Sequence, residues 1–264
     1  MKASQLILAG LLLQAPVHAQ TQSEPQPRAA ETKEGLAAEV VSLTAAANAA
    51  AQSKDWPKMK EIAERLVAKG VNLAAAYPDD PNISGSEAGC YKLLGDAHLG
   101  LREYAEAIEA YEKASGLAQA LFDSGKDIPG LGKTMSVVEI SEGNAYLKAQ
   151  KPKDAIACYE RAARLDPTSV TTLFNICATE YNLGDSGGAA AAADRVIALD
   201  PAKADAYFIK GSSLFVNGTV GPNGKFIVSA ETVAALRKYL ELAPNGSHAE
   251  DVKQMLDASE TSGK

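Results

Sequence analysis

The chain has 264 residues, 46% of them hydrophobic and 22% charged, with a formal net charge of −7. That hydrophobic content supplies a core and excludes global disorder, while the acidic balance argues against a basic nucleic-acid-binding surface and against attraction to an anionic membrane. Aromatics are only 6%, and abundant alanine favours thin helix-on-helix layers over a β-sandwich, which draws on β-branched and aromatic side chains.

The first element is a targeting segment. Lys2 precedes the apolar run Leu6–Leu13 and the small residues around Val17-His18-Ala19. This is the pattern of a cleavable signal peptide spanning residues 1–19, with the cut after Ala19. The alternative, a membrane anchor, needs roughly 20 apolar residues, and this run is shorter. A periplasmic or secreted location is therefore expected, with no transmembrane segment after signal removal. Residues 20–33 are polar and proline-bearing and read as a flexible leader.

From Glu34 to about Ala258 the apolar residues recur at helical spacing, and almost no stretch alternates as a strand would. Residues 34–84 read as a degenerate helical pair, Gly35–Gln52 and Trp56–Tyr77, with Asp55-Trp56-Pro57 at the turn. Residues 85–258 read as a repeat array. Gly143, Cys177 and Gly211 lie 34 residues apart, as do Pro167 and Pro201, and Ala155 and Ala189. Gly95, Ala107, Tyr111 and Ala114 precede Gly143, Ala155, Tyr159 and Ala162 by 48 residues, so one unit carries an insert near 122–133, where glycine and proline mark a loop. The last unit contains Tyr207 and Gly211, breaks at 217–229, and resumes through Thr232, Leu236, Tyr239 and Pro244. Within that break Pro222-Asn223-Gly224 suits a hairpin turn. Asn245–Ala258 then reads as a capping helix with Val252, Met255 and Leu256 on one face, followed by a flexible tail, 259–264.

A 34-residue helix–turn–helix period with small and aromatic residues at these places resembles the tetratricopeptide-repeat (TPR) family. Met135–Pro167 carries the resemblance most fully, through Gly143, Tyr146, Ala155, Tyr159, Ala162 and Pro167. Glu87–Gln119 carries it through Tyr91, Leu94, Gly95, Ala107, Tyr111 and Ala114. Val170–Pro201 departs from it, with Cys177 where Gly or Ala is usual and Ala193 in place of the large aromatic. The resemblance implies an all-α fold, a right-handed superhelix (solenoid) of antiparallel TPR helix pairs closed by a C-terminal capping helix. Small residues at the crossings let helix axes approach to about 8–10 Å. Tyr111 and Tyr159 would fill the wedge towards the next unit. Each unit is too thin to bury a core alone, so stacking must supply it.

The same resemblance implies a concave groove lined by the first helix of each unit. Its candidates are Lys92 and Asp96, Asn144 and Leu147, then Phe174, Asn175 and Tyr181, and finally Phe208 and Phe215. Carboxylate-gripping members of the family carry asparagine where Asp96 stands, so an apolar or aromatic-tipped peptide fits better. The same aromatics at helical spacing could equally be inter-helix packing.

Catalytic signals are weak. Gly130-Leu131-Gly132-Lys133-Thr134 resembles the end of a phosphate-binding loop, but Asp127 stands where glycine is required and no strand is expected before it. His98 and His248 lack metal-ligand spacing, and there is no GxSxG elbow. Neither a cofactor nor a metal is expected. Cys90, Cys158 and Cys177 form no CxxC pair; three buried thiols and a Cys158–Cys177 bridge both stay open. The chain is thus expected to be a non-enzymatic protein- or peptide-binding scaffold. A self-assembling structural module, forming a homo-oligomer, and an enzyme with its site in an insert are the alternatives. In a eukaryotic host Asn82, Asn217 and Asn245 would be glycosylation candidates.

Overall fold

The computed structural model describes residues 32–125, 130–222 and 224–261. The signal peptide, most of the leader, Asp127 and Asn223 lie outside the described residues. The described chain is helical apart from three short strands, and it divides into two compact units, one ending at Ala149 and the other beginning at Gln150.

The first unit holds α1 (Lys33–Gln52), α2 (Trp56–Ala76), α3 (Pro81–Leu101), α4 (Tyr104–Asp123) and α5 (Leu131–Lys148), each packed on the next. Local chemistry sets the helix starts. The side chains of Thr32, Asp55 and Asp80 accept from the backbone N–H groups of Gly35, Lys58 and Asn82, satisfying donors a helix leaves open at its first turn. Pro57 and Pro81 sit in those first turns, where a missing N–H costs nothing. Met59, Leu66, Ala47 and Ala97 are buried in one cluster of α1, α2 and α3.

The small residue at a helix crossing has a definite partner. A Cβ on Gly95 would lie 2.7 Å from the Tyr111 ring, so the ring is seated where only glycine leaves room. Tyr111 is fully buried with Ala107, Ile108 and Ala145, and its hydroxyl donates to Asp96 Oδ1 at 2.7 Å. Burial, with the Asp96 carboxylate beside it, pushes the Tyr111 hydroxyl well above the usual tyrosine range. Tyr111 was expected to fill the wedge towards the following unit. It shares a buried cluster with Ala145 of α5, but it first closes its own helix pair over Gly95.

The second unit holds α6 (Pro152–Leu165), α7 (Val170–Leu183), α8 (Ser186–Leu199), α9 (Ala204–Phe215), β1 (Thr219–Val220), β2 (Phe226–Val228), α10 (Ala230–Leu242), α11 (Ala249–Asp257) and β3 (Ser259–Thr261). α6 and α8 stop just before Asp166-Pro167 and Asp200-Pro201, because proline drives the preceding residue out of the α region. At the α9–α10 crossing, a Cβ on Gly211 would lie 2.6 Å from Leu236. At the α7–α8 crossing Cys177 and Ala193 take the glycine and aromatic positions, and both are fully buried. A larger residue on one helix is offset by a smaller one on the other. Lys210 of α9 ties α8 to α10, with Nζ 2.6 Å from both Asp194 and Glu231.

The insert forms a hairpin, β1 antiparallel to β2 with Thr219 opposite Ile227, and Gly221 N–H donates to the Lys225 carbonyl at 2.8 Å. Two expectations are corrected here. The capping helix starts at Ala249, not Asn245, because Asn245–His248 is held as a turn: Gly246 N–H donates to the Ala243 carbonyl and His248 N–H to the Tyr239 hydroxyl. The tail, expected to be flexible, is anchored at Ser259–Thr261, which pairs parallel with β2. An unpaired strand edge carries a row of open backbone groups, and the tail satisfies that of β2, starting with Phe226 N–H to the Ala258 carbonyl.

The three cysteines are buried and reduced, so no Cys158–Cys177 bridge exists. Cys177 Sγ donates to the Ala189 carbonyl at 3.6 Å instead, and Cys158 Sγ accepts from Arg161. Burial pushes the Cys90 and Cys177 thiols up to about 12, which leaves almost no thiolate to react at neutral pH. No described helix is long and apolar enough to cross a membrane.

Glu180 on α7 is a local strain. Its Oε2 is buried without a hydrogen-bond partner among the described residues. Desolvation first, then Asp185 and Glu160, raise its pKa above the ordinary 4.5, with Arg195 opposing. Below 4.5 the group is protonated in both the folded and the unfolded chain and costs nothing. As pH rises through 4.5 the unfolded chain loses the proton first, and the native state is penalised in full once pH exceeds the raised folded value. Glu180→Gln should therefore raise Tm at pH 7 and lose that advantage near pH 4, in parallel thermal melts.

Candidate functional site

The groove candidates fall in both units. In the first, Lys92 Nζ donates to Asp96 Oδ2 at 2.6 Å, one turn apart on α3, while the other Asp96 oxygen accepts from Tyr111. The carboxylate that sequence placed at the groove is therefore committed to its own helix pair, and it cannot serve as the asparagine of a carboxylate-gripping clamp. Asn144 and Leu147 are half-buried on α5.

In the second unit, Phe174 on α7 is capped by Lys203, whose Nζ lies 4.6 Å from the ring centre. The carbonyl of neighbouring Asn175 accepts from the Thr179 hydroxyl at 2.6 Å, within the helix. The remaining candidates come together. Tyr181, Phe208 and Phe215 share an open hollow of about 390 Å³ between α7, α9, the hairpin and α11. That size lies within the range of small-ligand and side-chain pockets, roughly 300–1,000 Å³.

Each ring has a distinct place in it. Phe208 is the floor and is only 7% exposed. His248, just before α11, stacks on it with ring centres 3.8 Å apart and planes 6° apart. Tyr181 meets Phe208 edge-on at 5.9 Å, and Phe215 leans against Phe226 of β2 at 5.4 Å. Tyr181 and Phe226 stay more than one-third exposed and form the accessible walls. Phe208, read from sequence as a groove contact, is thus mostly packing, because the turn before α11 brings the His248 ring down onto it.

Sequence reasoning missed the far wall, which Met255, Gln254, Asp251 and Ala258 build from α11 and its end. Met255 had been placed on the apolar face of the capping helix, but nothing in the pattern said that this face closes over α9. Phe226 could have been noticed as the lone aromatic of the insert at 217–229. Gly130-Leu131-Gly132-Lys133-Thr134 simply opens α5, with Gly130 in the left-handed region at φ 79°.

The helix pairs with their small-residue crossings define an all-α helical-repeat protein. Tetratricopeptide-repeat family models match residues 88–121, 140–169 and 179–221. The chain belongs to the tetratricopeptide-repeat family. Among curated proteins none gives a significant sequence match. Solved structures resemble it in fold. YrrB, described as a TPR protein with an unusual peptide-binding site, is 19% identical with a TM-score of 0.51, over 79% of this chain and 88% of its own. MamA is 16% identical with a TM-score of 0.54, over 80% and 94%. BtubC from P. vanneervenii is 15% identical with a TM-score of 0.56, over 89% and 88%.

Proposed function

We propose that the protein is a non-enzymatic scaffold that binds a partner protein or peptide, exported to the periplasm or secreted, and that the second unit's aromatic hollow receives an apolar or aromatic side chain of that partner. The observation that carries this reading is the hollow itself: four aromatic rings and a methionine converge on one open space, two of the rings remaining exposed. Exposed apolar surface of this kind marks interaction sites. Methionine adds an adaptable wall that can mould to a partner. The peptide-binding site ascribed to YrrB shows that this fold can host such a role. The export reading rests on the leader alone.

The test is affinity capture with the mature protein from its native envelope extract, followed by binding measurements on the captured partner. Tyr181→Ala combined with Phe226→Ala should weaken binding at least tenfold while the chain keeps its helical circular-dichroism spectrum, because both rings lie at the edge of the packing and are more than one-third exposed. Unchanged affinity in that variant rules the hollow out as the site. Edman or mass analysis of the exported form should find Gln20 at the N-terminus; a chain retaining Met1 would remove the signal peptide.

A further inference from the structure

The rings of the hollow say that an apolar group enters it; the charge at its rim says what stands beside that group. Of the residues that line the hollow, Asp251 is the charged one, the rest being aromatic, aliphatic or neutral polar. Its side chain is 69% exposed in the first turn of α11, and among the described residues the group within ion-pair reach is the His248 ring, at the 4.0 Å limit. The neighbouring Glu250 is engaged differently, with Lys253 3.8 Å away. The hollow therefore presents a carboxylate that no lysine or arginine among the described residues answers, next to ring faces that are themselves negative. The chain as a whole is also acidic, at −7.

Resting on the peptide-binding reading above, we infer that the segment held in the hollow carries an arginine or lysine directly beside its apolar anchor. The anchor lies over Phe208 between Tyr181 and Phe226. The basic side chain lays its methylene stem along the wall formed by Phe226 and Met255 and brings its cation to Asp251. Long basic side chains suit such a boundary, since the stem is apolar and the head can stay in water. A chain-terminal carboxylate is excluded from the same place by like charge, the reverse of a carboxylate clamp. Arginine is the stronger fit, because its planar head both stacks on rings and pairs with a carboxylate through two N–H groups.

The test is selection of a short random-peptide display library on the full mature chain, on Asp251→Lys, on Asp251→Asn, and on the Tyr181→Ala/Phe226→Ala variant. The wild type should enrich peptides with an apolar residue adjacent to arginine or lysine. A synthetic, amidated copy of an enriched peptide should bind roughly two- to fivefold tighter than its counterpart with glutamate at the basic position. Asp251→Asn should erase that difference and Asp251→Lys should reverse it. Apolar peptides enriched with no basic neighbour, or a charge preference untouched by either Asp251 variant, overturn this inference and leave the hollow standing as a peptide site. No enrichment, or enriched peptides that bind the double alanine variant equally well, overturns both.

Discussion

Tyr111→Ala should lower folding stability by about 3–5 kcal/mol, the loss expected when a large buried ring is deleted. Three facts combine at this side chain. It is fully buried. Its ring presses on α3 at Gly95, where a Cβ would stand 2.7 Å from it. Its hydroxyl is held by Asp96. Truncation empties a space that rigid helices cannot close, and leaves Asp96 with Lys92 as its remaining side-chain partner of those described. Tyr111→Phe keeps the ring and removes only the hydroxyl, so it should cost less, about 1.5–3 kcal/mol for a hydrogen bond to a charged group. Chemical denaturation of the three proteins gives the ordering directly. Equal losses for phenylalanine and alanine would mean the ring is not the spacer between α3 and α4.

The second large effect concerns the exchange of sizes at the α7–α8 crossing. Gly95 with Tyr111 is the ordinary arrangement, and Gly211 with Leu236 is a variant of it. Cys177 with Ala193 is a more balanced pair, both fully buried. Ala193→Tyr alone would drive a ring into the Cys177 side chain, costing roughly 1–3 kcal/mol or more through overpacking. Cys177→Gly alone would open space and add backbone freedom to the helix interior, a cost of about 1 kcal/mol before any cavity term. Made together, the substitutions restore the glycine–aromatic arrangement. Their combined cost should fall short of the sum by about 0.5–3 kcal/mol, the coupling expected for residues in contact. Strict additivity in a double-mutant cycle would show that these positions do not face one another.

This pairing also shows why so much of the fold was legible in the sequence. Helix crossings demand small residues at fixed intervals, and a period of 34 residues exposes them even where one unit swaps glycine for cysteine. Asp166-Pro167 and Asp200-Pro201 ended their helices as proline geometry requires. The hollow was legible by half. Tyr181, Phe208 and Phe215 lie on the first helices of their repeat units, so the family resemblance pointed to them. Phe226, Asp251 and Met255 come from a hairpin and a terminal helix that no repeat positions. Their placement depends on long-range events: His248 stacking on Phe208, and Ser259–Thr261 pairing with β2. The same events explain the errors. A polar tail with no apolar pattern reads as loose, yet it is fixed by backbone hydrogen bonds that no side-chain periodicity records.

The binding account can be tested most directly by amide hydrogen exchange of the mature protein with and without a peptide selected on it. Slowed exchange should concentrate at the end of α7, along α9 and through α11 and the hairpin, with residues 32–125 unaffected. Protection confined to the first unit, or spread over α6 and α10 while α9 and α11 exchange as before, would contradict it.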